Sequence, residues 1–315
     1  MQYRRLGSCG LKVSEVSLGS WLTYGASVNE QKSQACIRKA HDLGISFFDT
    51  ANAYQGGAAE EMMGRALKEF PRESYVLATK VYFPVGDGPN DRGLSRKHIM
   101  EQCHASLRRL GADYIDLYQC HRYDANTPLE ETLRALDDLI TQGKVLYVGV
   151  SDWSAAQITD ALRLAEKHNL DRIVSDQPCY NMLQRGLERE VMPLCEREGI
   201  GLIVYSPLAQ GALTGKYKPG SRPGRGTRAA DPQSNMFMGS LMSDESLQKV
   251  ERLKEVARDR GVTMSQLALA WCLRKTIVSS VIIGATRPEQ VEENAAASGV
   301  ALSQQELDRI ERILS

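Results

Sequence analysis

Residues 75–80 read Tyr-Val-Leu-Ala-Thr-Lys, residues 115–121 read Ile-Asp-Leu-Tyr-Gln-Cys-His, and residues 145–151 read Val-Leu-Tyr-Val-Gly-Val-Ser. Each is a short apolar run of the kind that fills a strand buried on both faces, and each stops at a polar side chain. Between them, Ser95–Leu110 and Leu129–Ile140 carry apolar residues at helical spacing. Strand, helix, strand, repeated at roughly 30-residue intervals, is the pattern of βαβ units and a buried parallel sheet.

Working outward, the same rhythm continues. Short β-rich segments recur at Val16–Leu18, Ile45–Phe48, Ile173–Ser175, Leu202–Tyr205 and Val281–Ile283, which with Tyr75–Ala78, Ile115–Tyr118 and Val145–Val150 makes eight. Helical stretches intervene at Ser33–Leu43, Ala59–Phe70, Ala155–His168 and Gly186–Glu198. Eight such units predict an α/β fold closed as a (β/α)8 TIM barrel. Ahead of it, alternation around Gly7 and Gly10 predicts a hairpin over Tyr3–Val13, placed to plug one end.

The interval from Tyr205 to Val281 is too long for one unit. It reads as a flexible Gly/Pro/Arg-rich loop at Lys218–Asp231, followed by helices at Glu245–Arg260 and Met264–Arg274; two more helices close the chain at Glu289–Ala297 and Gln304–Ile313. Length alone fits two ordinary domains or one large barrel. With no linker and no shift in composition, the expectation is a single domain over residues 1–315.

Composition excludes several classes. Lys plus Arg and Asp plus Glu number 39 each, so no global basic field draws the chain to nucleic acid. The longest apolar runs, such as Gly199–Val204 and Val278–Ile283, fall well short of the roughly 20 residues that cross a bilayer, so no membrane insertion is expected. The first residues lack the apolar core of a secretory signal. Seven scattered cysteines without a Cys-x-x-Cys pair read as reduced thiols of a cytoplasmic protein. His98 and His104 stand six apart on an expected helix, the wrong spacing for a two-ligand zinc face, and no metal is expected.

Barrel enzymes carry their chemistry at the C-terminal ends of the strands. There the chain places Phe-Phe-Asp49-Thr-Ala-Asn-Ala-Tyr54, Lys80 and His121. Taken singly, each has a plain explanation: a helix cap, a packed ring, a solvated amine, a hydrogen-bonded imidazole. Together at one rim they make an acid–base set. A free phenol, with a pKa of about 10, is a poor acid at neutral pH. A neighbouring ammonium is expected to pull that value down, a carboxylate to hold the ammonium charged, and His121 to aim a donor at a substrate carbonyl.

Trp21, Tyr82 and Tyr123 stand where they would shape an aromatic substrate pocket alongside Tyr54 and His121; Trp21 is the best placed, and Tyr82 and Tyr123 read equally well as packing. Met236, Phe237 and Met238 read as an apolar lid or a subunit contact. Toward the C-terminus, Arg287-Pro288 opens a helix whose N-terminus is an anion site, and Arg287 adds the charge a 2′-phosphate needs. Gln290, Glu293 and Asn294 fall on one face of that helix. The run Gly224–Ala229 matches a G-x-G-x-x-A pattern, but it follows a Pro-rich loop and no strand, and reads as a chance match. No Tyr is followed four residues later by Lys, which removes the pair used by short-chain dehydrogenases.

Phe-Asp49-Thr-Ala-x-x-Tyr54, Lys80 and His121 resemble the catalytic tetrad of the aldo-keto reductase superfamily. The likeness extends through Gly149-Val-Ser151, Gln177-Pro-x-Tyr-Asn181, Tyr205-Ser-Pro-Leu208 and Gly284-Ala-Thr-Arg-Pro-Glu-Gln290, over nearly the whole chain. Gly19-Ser-Trp21, Leu208-Ala-Gln-Gly-x-Leu-Thr-Gly-Lys216 and Glu293-Asn294 resemble the branch that holds potassium-channel β-subunits and their bacterial reductase relatives.

That resemblance implies NADP(H)-dependent reduction of a small-molecule carbonyl compound to an alcohol, with Tyr54 protonating the oxygen, Lys80 and Asp49 tuning it, and His121 orienting the substrate. It implies that Ser151, Asp152 and Gln177 hold the nicotinamide amide and that Tyr205 stacks on the ring. Asp152 is a departure, since the family usually carries Asn there. The resemblance further assigns to the cofactor Ser20, Trp21, Asp49, Ser206, Pro207, Leu208, Gln210 and Gly211. Lys216 and Arg228 would clasp the pyrophosphate and the 2′-phosphate, while Gly284, Thr286, Arg287, Gln290, Glu293 and Asn294 would hold the adenosine end. Homo-oligomers of four or eight are common in that branch. The alternative it implies is a redox-sensing regulatory subunit of a membrane channel; against it stand His121, where channel subunits commonly carry Asn, and the absence of a long N-terminal extension. Aldehydes, dicarbonyls, aryl ketones and sugar-derived carbonyls all fit the motif, because loop side chains choose among them.

Overall fold

Among the described residues, segments rich in Val, Ile and Leu form ten strands, eight of which close into a parallel barrel. The computed structural model describes every residue except 22–23, 25–28, 225–226, 232–234 and 236–237. Strands β1 (Tyr3–Arg5) and β2 (Lys12–Ser14) are the antiparallel hairpin. The barrel strands are β3 (Val16–Gly19), β4 (Phe47–Asp49), β5 (Val76–Val81), β6 (Ile115–Cys120), β7 (Val145–Val150), β8 (Ser175–Asp176), β9 (Gly201–Val204) and β10 (Val278–Ile283), each beside the next, with β10 pairing both β9 and β3 to close the ring.

Helices α1 (Glu30–Asp42), α2 (Ala58–Leu67), α3 (Arg96–Leu110), α4 (Leu129–Thr141), α5 (Ala155–His168) and α6 (Val191–Glu198) alternate with the strands. Helices α7 (Asp244–Arg260) and α8 (Met264–Leu273) precede β10, and α9 (Pro288–Ala295) and α10 (Gln304–Leu314) follow it. Their starts are written locally. Asn29, Ser95 and Ser243 each cap a helix by accepting from the backbone N–H three residues on, and Ser154, Thr263 and Ser303 build reciprocal capping boxes with Gln157, Gln266 and Glu306.

The hairpin plugs the N-terminal end of the barrel. Leu6 and Val13 are buried with Phe47, Val76, Ala78, Leu117 and Ile203, which point inward from their strands. Gly7, at φ +60°, lies so close to the entry of β9 that a Cβ there would sit 2.2 Å from the Gly199 carbonyl oxygen. Only a residue without a side chain lets the hairpin approach that far.

Alternation then builds the opposite end. Phe47, Ala78 and Leu117 fill the lower barrel, and two residues further along the same inward faces lie Asp49, Lys80 and Gln119. A period of two therefore converts an apolar floor into a polar mouth at the strand C-termini.

Some boundaries differ from the periodicity. The expected helix over Gly186–Glu198 begins only at Val191, and Gly186–Glu188 is a 3₁₀ turn. Pro193 has no N–H to give to a residue four back, so it is accommodated in the first turn of a helix and dictates this late start. The excursion after β9 contains 3₁₀ turns at Ala209–Thr214, Arg228–Ala230 and Ser240–Met242. Met238 is buried against Tyr217 and Leu247 of its own chain, while Met236 and Phe237 lie outside the described residues. Among the described residues, no helix is long and apolar enough to cross a membrane.

Candidate active site

Lys80 is fully buried near the upper end of β5, so its charge must be matched inside the protein. It donates to Asp49 Oδ1 at 2.5 Å and to the Thr50 carbonyl at 2.7 Å. Its third neighbour is the Tyr54 hydroxyl at 3.4 Å. On the far side, Tyr54 Oη lies 3.5 Å from His121 Nε2, with the rings edge to face. Asp49 is held in turn by the side-chain amides of Gln177, at 2.9 Å from Oδ2, and Gln119, at 3.4 Å. The strands thus join Asp49, Lys80, Tyr54 and His121 in one chain of polar contacts, whose two long links suit a site that tightens around a ligand.

Burial decides the charge states. It pushes the Tyr54 phenol well above its ordinary 10, the Asp49 carboxylate adds to the rise, and Arg122 opposes it. The lowering by a neighbouring ammonium that the sequence suggests is outweighed, because desolvation of a phenolate exceeds what an already paired Lys80 returns. His121 is driven well below 6.5 by burial first, then by Lys80 and Arg122, so its imidazole is neutral. Lys80 itself is lowered by burial and supported by Asp49. The resting arrangement is a neutral phenol between a paired ammonium and a neutral imidazole, which is a proton donor with cationic support for the phenolate it would leave.

Tyr54 and His121 open into a cleft of about 1110 Å³ that runs past β7, β8 and β9 to the first turns of α9. Trp21, Asp49, Ser151, Gln177 and Tyr205 line its inner part. Ser151 Oγ donates to the Gln177 carbonyl at 2.8 Å, and Ser20, buried behind the wall, donates to Thr50 at 2.9 Å. Asp152, an exposed residue, spends its carboxylate on the protein: Oδ1 accepts from the Cys179 N–H at 3.2 Å, and Oδ2 accepts from Tyr205 Oη at 2.8 Å beside Arg122 Nη2 at 3.1 Å.

Beyond Tyr205 the wall is backbone. Ser206 has φ +53°, and after Pro207 and Leu208 the residues Ala209, Gln210 and Gly211 have φ of +48°, +57° and +99°, left-handed positions that bend the chain around the cleft. Gln210 donates to Ser206 Oγ at 2.6 Å and accepts from Arg228. A Cβ on Gly211 would lie 3.2 Å from Lys216 Nζ, so the glycine keeps that ammonium against the loop. At the outer end, Gly284, Thr286, Arg287, Gln290, Glu293 and Asn294 complete the lining. Arg287 is the N-cap residue of α9 without a side-chain cap; Gln290 Oε1 instead accepts from Thr286 N at 2.8 Å. The Arg287 side chain is 68% exposed, with Glu289 3.8 Å away, a pair that solvent screens.

Phe83, Pro84, Gln119 and Arg122 escaped the sequence reading. Phe83 and Pro84 line the cleft and Tyr82 is not among its lining residues; Phe83 meets His121 edge to face at 4.7 Å. Strand β5 ends at Val81 and the chain turns, Tyr82 accepting from Gly93, so the alternation stops one residue too soon for Tyr82. Gln119 could have been found from its parity with His121. Arg122 had no signal beyond adjacency to His121. Tyr123 packs edge to face on the buried Trp153. Among the described residues no group of His, Cys, Asp and Glu side chains could hold a metal ion.

Comparison with known proteins agrees with this geometry. The model of the "Aldo/keto reductase family" matches residues 15–315. A "Probable voltage-gated potassium channel subunit beta" of Arabidopsis thaliana is 46% identical over 319 aligned positions, covering 100% of this chain and 97% of that protein. A protein of the same description from Oryza sativa subsp. japonica is 44% identical with the same coverage. A "Putative voltage-gated potassium channel subunit beta" of Schizosaccharomyces pombe is 45% identical over 94% of this chain and 87% of its own length. With a family match over nearly all of its length and relatives at this identity, the chain belongs to the aldo/keto reductase family of oxidoreductases.

Proposed function

We propose that the protein is an NADPH-dependent carbonyl reductase that converts aldehydes or ketones to alcohols, with Tyr54 as the proton donor. The observation that carries this reading is the contact chain Asp49–Lys80–Tyr54–His121 at the mouth of the barrel.

The cleft suits a dinucleotide in its donor set. An acid–base group, the Ser151 hydroxyl, the Gln177 amide and the Tyr205 ring stand at one end, and the cations Lys216, Arg228 and Arg287 at the other. Ser151 and Gln177 would hold the carboxamide, Tyr205 the ring face, Lys216 the pyrophosphate, and Arg228 and Arg287 the 2′-phosphate. The turns at 206–211 would supply backbone and Gln210 contacts, and Gln290, Glu293 and Asn294 the adenosine contacts. Burial lowers the pKa of Arg228, whose guanidinium bonds Gln210 and meets no carboxylate among the described residues, as a phosphate site requires. When bound, NADPH supplies the hydride.

The chain does the rest. Tyr54 delivers its proton to the carbonyl oxygen, Lys80 stabilises the phenolate at 3.4 Å, and Asp49 keeps Lys80 charged and aimed. Neutral His121 positions the carbonyl against Tyr54, while Trp21 and Phe83 wall the substrate side and exclude water. The same reading takes residues 1–315 as one catalytic domain of a cytoplasmic protein that assembles as a ring of four or eight.

The test is oxidation of NADPH and of NADH by purified protein across a panel of aldehydes, dicarbonyls and aryl ketones. Turnover preferring NADPH supports the proposal. Tight NADPH binding without turnover on any carbonyl favours a second reading, a redox-sensing channel subunit, which rests on the relatives at 44–46% identity described as potassium channel β-subunits.

A further inference from the structure

Asp152 has an unusual amount to hold for a residue beside a ligand cleft. It follows β7 at φ +54°, a left-handed conformation that Asp and Asn tolerate better than most L residues. Its two oxygens meet donors from three other strand ends: the Cys179 N–H after β8 on Oδ1, and Tyr205 Oη after β9 and Arg122 Nη2 after β6 on Oδ2. These three partners line the cleft, and Asp152 does not. Arg122 passes the connection on, through Nη1 to the His121 carbonyl at 2.5 Å and to Ser151 Oγ at 3.3 Å.

The hydrogen-bond inventory explains why a carboxylate stands here. Both oxygens of an ionised carboxylate accept, so all three donors are satisfied. An amide has one accepting oxygen and would aim its NH₂ either at the Cys179 N–H or at the Arg122 guanidinium, neither of which can accept. The donors around residue 152 therefore favour Asp, and both of its oxygens are engaged on the protein while its side chain stays off the cleft lining.

We infer that Asp152 is a positioning residue that leaves the cofactor untouched and fixes Tyr205 and Arg122 at the reactive end of the cleft, tying the loops after β6, β7, β8 and β9 together. The inference rests on the reductase reading for its catalytic consequence, but the tie itself is a property of the chain alone.

The charge pairing has a consequence for Tyr54, which faces Asp49, Lys80, His121 and, at longer range, the Arg122–Asp152 pair, with Asp176 buried behind Asp152. Asp152 opposes ionisation of Tyr54 and Arg122 favours it. Removing the carboxylate leaves the guanidinium unopposed, so the phenol ionises at lower pH.

Three measurements on wild type, Asp152→Ala, Asp152→Asn and Tyr205→Phe test this. In the cofactor-free protein, hydrogen exchange at the Cys179 amide should accelerate roughly tenfold in Asp152→Ala and stay unchanged in Tyr205→Phe. The NADPH dissociation constant should rise by about tenfold in both Asp152→Asn and Tyr205→Phe, with the double variant no worse than the weaker-binding single. The alkaline limb of the pH–rate profile should move to lower pH in Asp152→Asn and stay in place in Tyr205→Phe. Unchanged Cys179 exchange in Asp152→Ala overturns the tie, and multiplying effects on NADPH affinity overturn indirect action by making Asp152 a ligand in its own right. A wild type that binds NADPH and reduces nothing sinks the reductase reading instead, and the exchange and affinity arms still decide the role of Asp152.

Discussion

The two ends of the cleft handle charge in opposite ways. At the inner end every formal charge is already matched: Lys80 on Asp49, Arg122 on Asp152, with Tyr54 and His121 held neutral by burial. At the outer end, Lys216 and Arg228 have no carboxylate partner among the described residues, and Arg287 has only a distant, solvated one. The difference matches what the proposed reaction asks of each end. A site that must create charge during a reaction is arranged beforehand in a dry, low-dielectric setting, whereas a site that must capture a charged ligand leaves its cations open.

That contrast can be broken in several places. Tyr54→Phe removes the proposed proton donor and leaves the outer cations intact, so carbonyl turnover should fall by about 10²–10⁴-fold while NADPH affinity stays near wild type. Stopped-flow turnover with a parallel binding titration reads both, and a variant that keeps most of its turnover ends the assignment of Tyr54. Lys80→Met strands Asp49 as a buried, unpaired carboxylate, for which loss of a partner costs about 3–5 kcal/mol. Urea unfolding should therefore report a large loss of stability. No such loss follows from removing an outer cation.

Arg287→Ala should leave folding unchanged and weaken NADPH about tenfold, close to 1.4 kcal/mol, with little effect on NADH. The deficit should shrink at high salt, because the contact is exposed. Equal losses for both dinucleotides would remove the phosphate from the argument. The mildest expectation concerns pH. With the folded His121 value well below 6.5 and the Tyr54 value well above 10, neither group changes charge near neutrality. The rate of carbonyl reduction should therefore be flat through the neutral range and fall only when alkali ionises Tyr54. A descending limb between pH 7 and 8 would mean that Lys80 overrides burial.

Much of the inner site was legible in the chain because it obeys a local rule. Asp49, Lys80 and Ser151 each stand two residues beyond an inward-facing neighbour at a strand end, so parity alone aims them at the mouth, and the same parity holds for Gln119, which the reading passed over. The rule fails where a strand stops. Tyr82 continues the parity of Lys80 on paper, but β5 ends at Val81, and Phe83 faces His121 instead. Likewise Pro193 delays α6 by an amount that apolar periodicity does not register.

By itself, then, the sequence determined the order of βαβ units, the hairpin, the helix caps and the identity of the polar side chains at the strand ends, since each depends on neighbours within a few residues. Tertiary structure alone decided that Asp152 receives donors from the ends of β6, β8 and β9, that Tyr54 is a neutral acid and not a poised phenolate, and that Lys80 is sealed from water. Those properties depend on distances between residues remote in the chain and on how much solvent the closed barrel excludes, and neither is encoded in any single stretch of it.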